Sequence, residues 1–206
     1  MRALIDSLAR YTATEASMAT ITADARGGDR SFREETAAEY YDALTRLMFV
    51  DDLPAWSPHL RSAATLRKTP KRHLADPALA GGALGLTVPS LTADLQYFGL
   101  LFESLVVHDL RVYAESLGGR LFGYRDSGGA ALDAVLVLPD RTWAAFEVKL
   151  GFGAVDGAAS ALRRVASRVD HAKMGAPTAL VVVTANGFAH TRDDGVAVAP
   201  FPTLRR

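Results

Sequence analysis

Two hydrophobic periods divide the chain. In its first part apolar residues recur at helical spacing. Leu4, Ile5, Leu8 and Tyr11 form one such stripe within residues 3–20. Ala25-Arg26-Gly27-Gly28-Asp29 interrupts it. Ser31, with Glu34 three positions on, has the pattern of a capping box. The helix it predicts carries Ala37, Tyr40, Tyr41, Leu44, Leu47 and Met48 on one face. Asp51-Asp52 predicts a turn, and Leu53-Pro54-Ala55-Trp56 an extended stretch. Helices followed by short extended segments predict a winged-helix-like helical module with a β-hairpin. Ala80-Gly81-Gly82-Ala83-Leu84-Gly85, followed by Pro89, reads as a linker. It divides the chain into residues 1–85 and 86–206.

The second part switches period. Residues 91–117 form the longest helical pattern, closed by Gly118-Gly119 in the manner of a C-cap. Residues 120–125, 131–138 and 142–150 read as strands, joined by turns at Asp126-Ser127-Gly128-Gly129 and Pro139-Asp140-Arg141. Residues 158–173 make a basic helix, with Leu162, Val165 and Val169 inward and Arg163, Arg164 and Arg168 outward. Residues 178–184 are a continuous aliphatic run, the mark of a buried strand. A helix between two such strands predicts a parallel pair. Asp194-Gly195 predicts a turn between short terminal strands. The order from residue 92 is αβββαβ, an α/β fold.

The charged residues within this pattern carry the candidate chemistry. Glu103 falls on the apolar side of its helix, among Gly99, Leu100, Val106, Val107 and Leu110. A buried carboxylate needs a partner. An ion pair, a backbone hydrogen bond or a functional ligand would each satisfy it. A hairpin centred on Asp140 sets Asp133 opposite Glu147, with Lys149 on the same face as Glu147. Opposed residues have Cβ atoms only ~4.5–5.5 Å apart, so two carboxylates there repel. They call for a cation. Lys149 is one candidate, and a divalent ion such as Mg²⁺ or Mn²⁺, which takes oxygen ligands, is the other. Residues 53–75 contain no acid but hold Arg61, Arg67, Lys68, Lys71 and Arg72 with His59 and His73. That stretch suits phosphates, a solvated loop or an acidic partner. His108 lies on the hydrophilic side of its helix and reads as solvated, and His171 and His190 lack a second ligand at helical spacing. Trp56 and Trp143 read as packing residues, and Asp126 as a turn residue.

Composition narrows these options. The 206 residues include 23 basic and 23 acidic ones, so nucleic-acid binding would have to come from local patches. No cysteine is present, which excludes disulfides, thiolate catalysis and thiolate zinc sites. No apolar run reaches the ~18–20 residues of a membrane span. Asp6 and Arg10 interrupt any signal-peptide core. A cytoplasmic protein without a membrane partner is the expectation.

Asp133, thirteen intervening residues, and Glu147-Val148-Lys149, behind a helix bearing Glu103, resemble the PD-(D/E)XK nuclease superfamily. That resemblance implies a restriction-endonuclease-like core. In it Asp133, Glu147 and Glu103 would bind Mg²⁺ or Mn²⁺, and Lys149 would complete the catalytic set. A longer resemblance covers nearly the whole chain. Thr69-Pro70-Lys71-Arg72-His73-Leu74-Ala75-Asp76-Pro77-Ala78-Leu79, Gly99-Leu100-Leu101-Phe102-Glu103-Ser104-Leu105-Val106, Tyr124-Arg125-Asp126, Leu132-Asp133-Ala134-Val135 and Phe146-Glu147-Val148-Lys149 are similar to the C-terminal region of a prokaryotic family of AAA-type ATPases. In that family an ATPase domain precedes a winged-helix segment and a nuclease-like core. This sequence holds no G-x-x-x-x-G-K-[ST] phosphate loop, so no ATPase activity is expected of it, and a separate ATPase subunit is a possible partner. The functional expectation is Mg²⁺-dependent hydrolysis of DNA phosphodiesters. Arg67, Lys68, Lys71, Arg72, Arg163, Arg164 and Arg168 would be the nucleic-acid contacts. The alternative is a non-catalytic accessory domain that binds nucleic acid or a partner protein.

Overall fold

A computed structural model describes residues 1–27, 32–58 and 69–204. Two compact units emerge, one of residues 1–53 and 69–105, the other of residues 54–68 and 106–206. The chain is a mixed α/β protein, as its hydrophobic pattern predicts. Ser31, His59, Arg61, Arg67 and Lys68 lie outside the described residues.

The first unit is helical. It holds α1 (Arg2–Arg10), α2 (Met18–Arg26), α3 (Glu34–Arg46), α4 (Pro77–Leu84), α5 (Val88–Ala93) and the start of α6 (Leu95–Ser116). The helical pattern of residues 3–20 is two helices, not one. Ser17 caps the second, its hydroxyl accepting from the Thr20 N–H at 3.1 Å. α3 begins after Arg33, which provides no side-chain cap. The long pattern from residue 91 is likewise split. Asp94 closes α5 and caps α6 by accepting from the Tyr97 N–H at 3.0 Å. Leu4, Leu8, Ile21, Ala37, Leu44, Leu74 and Leu101 form the core of this unit. Among the described residues of the segment expected as a hairpin, isolated antiparallel bridges join Val50 to Leu74 and Leu53 to Lys71.

The second unit is built on a six-stranded sheet of its described residues, ordered β1-β2-β3-β4-β6-β5. The strands are β1 (Arg120–Arg125), β2 (Ala131–Val137), β3 (Trp143–Lys149), β4 (Ala179–Thr184), β5 (His190–Thr191) and β6 (Ala197–Pro200). β1, β2 and β3 are antiparallel neighbours, while β4 runs parallel to β3 and β6 parallel to β4. The crossover from β3 to β4 contains α7 (Val155–Arg168) and α8 (His171–Met174). The apolar spacing predicts one helix over residues 158–173. Val169 is instead extended, and Asp170 caps α8 by accepting from the Ala172 N–H.

α7 lays Val155, Ala158, Ala159, Leu162 and Val165 into one core with Leu132, Val135, Ala145, Val182 and Val198 of the sheet. Burying one such aliphatic side chain is worth ~1.5–3 kcal/mol. That face fixes α7 on the sheet and thereby fixes the strand ends that carry the polar residues. Trp56 and Trp143 are core residues, with ring centroids 4.8 Å apart and Tyr124 edge-on to Trp56. No helix of the described residues is long and apolar enough to cross a membrane.

Candidate carboxylate–ammonium site

The β2–β3 ladder pairs Ala134 with Phe146 and continues to Val137 with Trp143, the register that a hairpin centred on Asp140 demands. It stops one pair short of Asp133 and Glu147. At that point the Asp133 carboxylate replaces a strand carbonyl, accepting from the Val148 N–H at 2.9 Å. On its other side β3 remains paired with β4 through Lys149–Thr184. Asp133 thus sits where β2 and β3 cease to pair, with β3 held straight by β4.

Lys149 gathers the acids. Its ammonium donates to Glu147 at 2.7 Å and lies 3.6 Å from Asp133. Two carboxylates that meet one ammonium share one side of the sheet. The side chains of Glu147, Asp133 and Lys149 are 9%, 15% and 29% exposed, so the cluster is screened from water yet open to it at the lysine.

Glu103 belongs to the first unit. There it accepts from the Lys71 ammonium at 2.6 Å, with both side chains nearly buried. The ion pair is the partner that its apolar surroundings required. Among the described residues no group of three or more His, Asp or Glu side chains is placed to hold a metal ion. The candidate ligand set within the second unit is therefore the pair Asp133 and Glu147.

The remaining basic residues are largely engaged. Lys71 is the partner of Glu103. Arg72 is buried, its guanidinium bonded to Asp52, the Tyr41 hydroxyl and the Ala16 carbonyl. Burial and the Asp52 hydrogen bond push the Tyr41 phenol above its ordinary value. Arg168 donates to Asp126 at 2.8 Å instead of facing solvent alone. Arg163 lies 3.8 Å from Asp194, and Arg163 and Arg164 line an open groove of about 560 Å³ with Ser160, Ser167, His171 and Leu180. Leu180 is near the start of β4, whereas the carboxylate cluster lies beside its end, at Thr184.

Residues 98–204 match a family described as a domain of unknown function, DUF4143. The chain belongs to the DUF4143 family. Residues 1–90 match a second domain of unknown function, DUF8612. No curated protein and no solved structure matches the chain. The DUF4143 match runs from within α6 through the whole sheet and covers every member of the Asp133–Glu147–Lys149 cluster.

Two features of this DUF4143 portion exceed the sequence reading. Asp126, expected as a turn residue, is fully buried and accepts from the Gly128 and Ala130 N–H groups, the Tyr124 hydroxyl and Arg168. Burial acts to raise its carboxyl, but these donors outweigh burial and hold it below the usual carboxylate value. The Asp-Ser-Gly-Gly turn signalled the two backbone donors. Arg168, 42 residues away, gave no local signal. The other feature is an aromatic rim. Phe152 and Phe188 follow the ends of β3 and β4 and are 44% and 85% exposed.

Proposed function

We propose that the second unit is a Mg²⁺- or Mn²⁺-dependent phosphodiesterase acting on DNA, at Asp133, Glu147 and Lys149. One observation carries this reading: β2 and β3 part at Asp133, and two carboxylates meet a single ammonium in the opening. A restriction-endonuclease-like core, with a winged-helix-like first unit, is the fold assignment that goes with it.

The donors fit such an ion. Mg²⁺ is usually held by one or two carboxylates, with waters and substrate phosphate completing its shell. Asp133 and Glu147 would hold it, both carboxylates meeting at one point beside the end of β3. When bound, the ion would lower the pKa of a water and neutralise charge on the phosphate. Asp133 is held in place by the Val148 N–H, so its carboxylate needs little reorganisation. Lys149 competes with the ion for the same carboxylates. Displaced from them, its flexible stem brings a point charge to the phosphate oxygens. Glu103 is not needed for this arrangement, because Lys71 already neutralises it. Arg163 and Arg164 would contact phosphates away from the scissile one.

A second reading has its own observation. The 2.7 Å Glu147–Lys149 pair is already compensated without an ion, as in an accessory domain that binds nucleic acid or protein. Calorimetric titration with Mn²⁺ separates the two. Under the phosphodiesterase reading the wild type binds and Asp133→Ala does not. A plasmid-nicking assay in Mg²⁺ then tests the chemistry. Cleavage that survives in Lys149→Ala, or a wild type that binds no Mn²⁺ and nicks nothing, refutes the proposal.

A further inference from the structure

The geometry points to Phe188, on the loop after β4, as a stacking surface for an unpaired nucleotide base beside the carboxylate–ammonium site, so that the substrate presents single-stranded or frayed DNA. This inference rests on the phosphodiesterase reading and names its substrate class. Lys149 and Thr184 are register partners at the ends of two parallel strands. Three residues beyond each come Phe152 and Gly187. A Cβ at Gly187 would lie 1.9 Å from the Phe152 ring, so that ring rests against the Gly187 backbone. Gly187 has φ +113, a backbone conformation that residues other than glycine rarely adopt. The contact ties the two loops together at the end of the sheet that carries Glu147 and Lys149.

Phe188 follows directly and is 85% exposed, the most exposed of the large hydrophobic residues described. Its carbonyl lies 3.0 Å from the His190 ring, at the entry to β5. β5 pairs with β6 and β6 with β4, so this loop crosses the end of β6. Strands lie ~4.8 Å apart, which puts the crossing about 10 Å from β3, two interstrand spacings. That is within reach of a nucleotide or two of strand whose phosphate sits at Lys149. An isolated exposed phenylalanine is unremarkable. One whose loop packs on Phe152 at the sheet end that carries Lys149 offers the aromatic face on which single-strand readers stack bases, with Lys149 and the bound ion of the phosphodiesterase reading supplying the positive charge for the phosphate. A paired base offers its edge and hides its face, so stacking of this kind selects unpaired bases.

Fluorescence anisotropy of the full chain tests this, with a labelled single-stranded 20-mer and the same 20-mer as a duplex, in Ca²⁺ to prevent turnover. Stacking contributes ~1–3 kcal/mol per base, or about 5- to 150-fold in affinity. Phe188→Ala should lose that much for the single strand, with under about twofold change for the duplex, and Phe188→Trp should retain the wild-type preference. Thermal denaturation checks that Phe188→Ala is folded. Equal single-strand affinity in Phe188→Ala and wild type, or equal losses for both probes, overturns the inference. Nicking by the wild type with unaltered binding in Phe188→Ala sinks the stacking role alone. Absent nicking with Phe188-dependent single-strand binding sinks the hydrolytic reading and leaves Phe188 as a base contact. A wild type that binds neither probe overturns both.

Discussion

Replacing Lys149 with Met isolates what its ammonium does. The apolar stem is kept in approximate volume, and the charge that Asp133 and Glu147 both contact is removed. Their side chains are 15% and 9% exposed, so water screens them poorly. Two unit charges ~5 Å apart at an effective dielectric of ~20 repel by about 3 kcal/mol. Removing one partner of a buried ion pair generally costs ~3–5 kcal/mol. Lys149 is 29% exposed, which puts the expected loss near the lower end, about 3 kcal/mol at pH 7. For a chain of this size each kcal/mol moves Tm by ~2–4 °C, so Lys149→Met should melt ~6–12 °C lower. Added Mg²⁺ should shrink the deficit if the pair is a cation site, while NaCl of equal ionic strength should do less. Urea denaturation at pH 7, with and without Mg²⁺, measures all of this. A variant as stable as the wild type at pH 7 would refute the electrostatic argument. A destabilised variant indifferent to Mg²⁺ would keep the repulsion and reject the ion.

Asp126→Ala strips a buried acceptor from four donors and should cost about 3 kcal/mol by chemical denaturation, the partly exposed Arg168 contributing least. Its carboxyl is held low in the folded state, so its stabilisation is complete above the unfolded value near 4 and is lost as pH falls through the folded value. An acid titration of stability should therefore show a loss in the wild type that Asp126→Ala lacks. Arg72→Met leaves Asp52 and Tyr41 without their guanidinium and should destabilise by ~3–5 kcal/mol. Refolded under conditions where it is native, it should bind DNA as the wild type does, which anisotropy would check.

The sequence by itself determined the α/β class, the strand order from β1 to β4 and the β2–β3 register. Each follows from local periodicity, and a two-residue alternation broken by Pro139-Asp140 leaves little choice of pairing. It also placed Asp133, Glu147 and Lys149 on one side of the sheet, since register and alternation together fix the face. Helix ends were less legible. Asp94 and Asp170 interrupt apolar patterns that otherwise continue, because a capping carboxylate competes with the helix for the backbone N–H. Tertiary structure alone decided the partners of the charges. Lys71 and Arg72 lie in an acid-free stretch that reads as a phosphate surface, yet Glu103 and Asp52 neutralise them from distant segments. Arg168 has the spacing of an outward face and still reaches Asp126. A long, flexible cationic side chain is unconstrained by its own helix or strand. Desolvation settles where it goes, by rewarding whichever buried carboxylate the fold brings within reach.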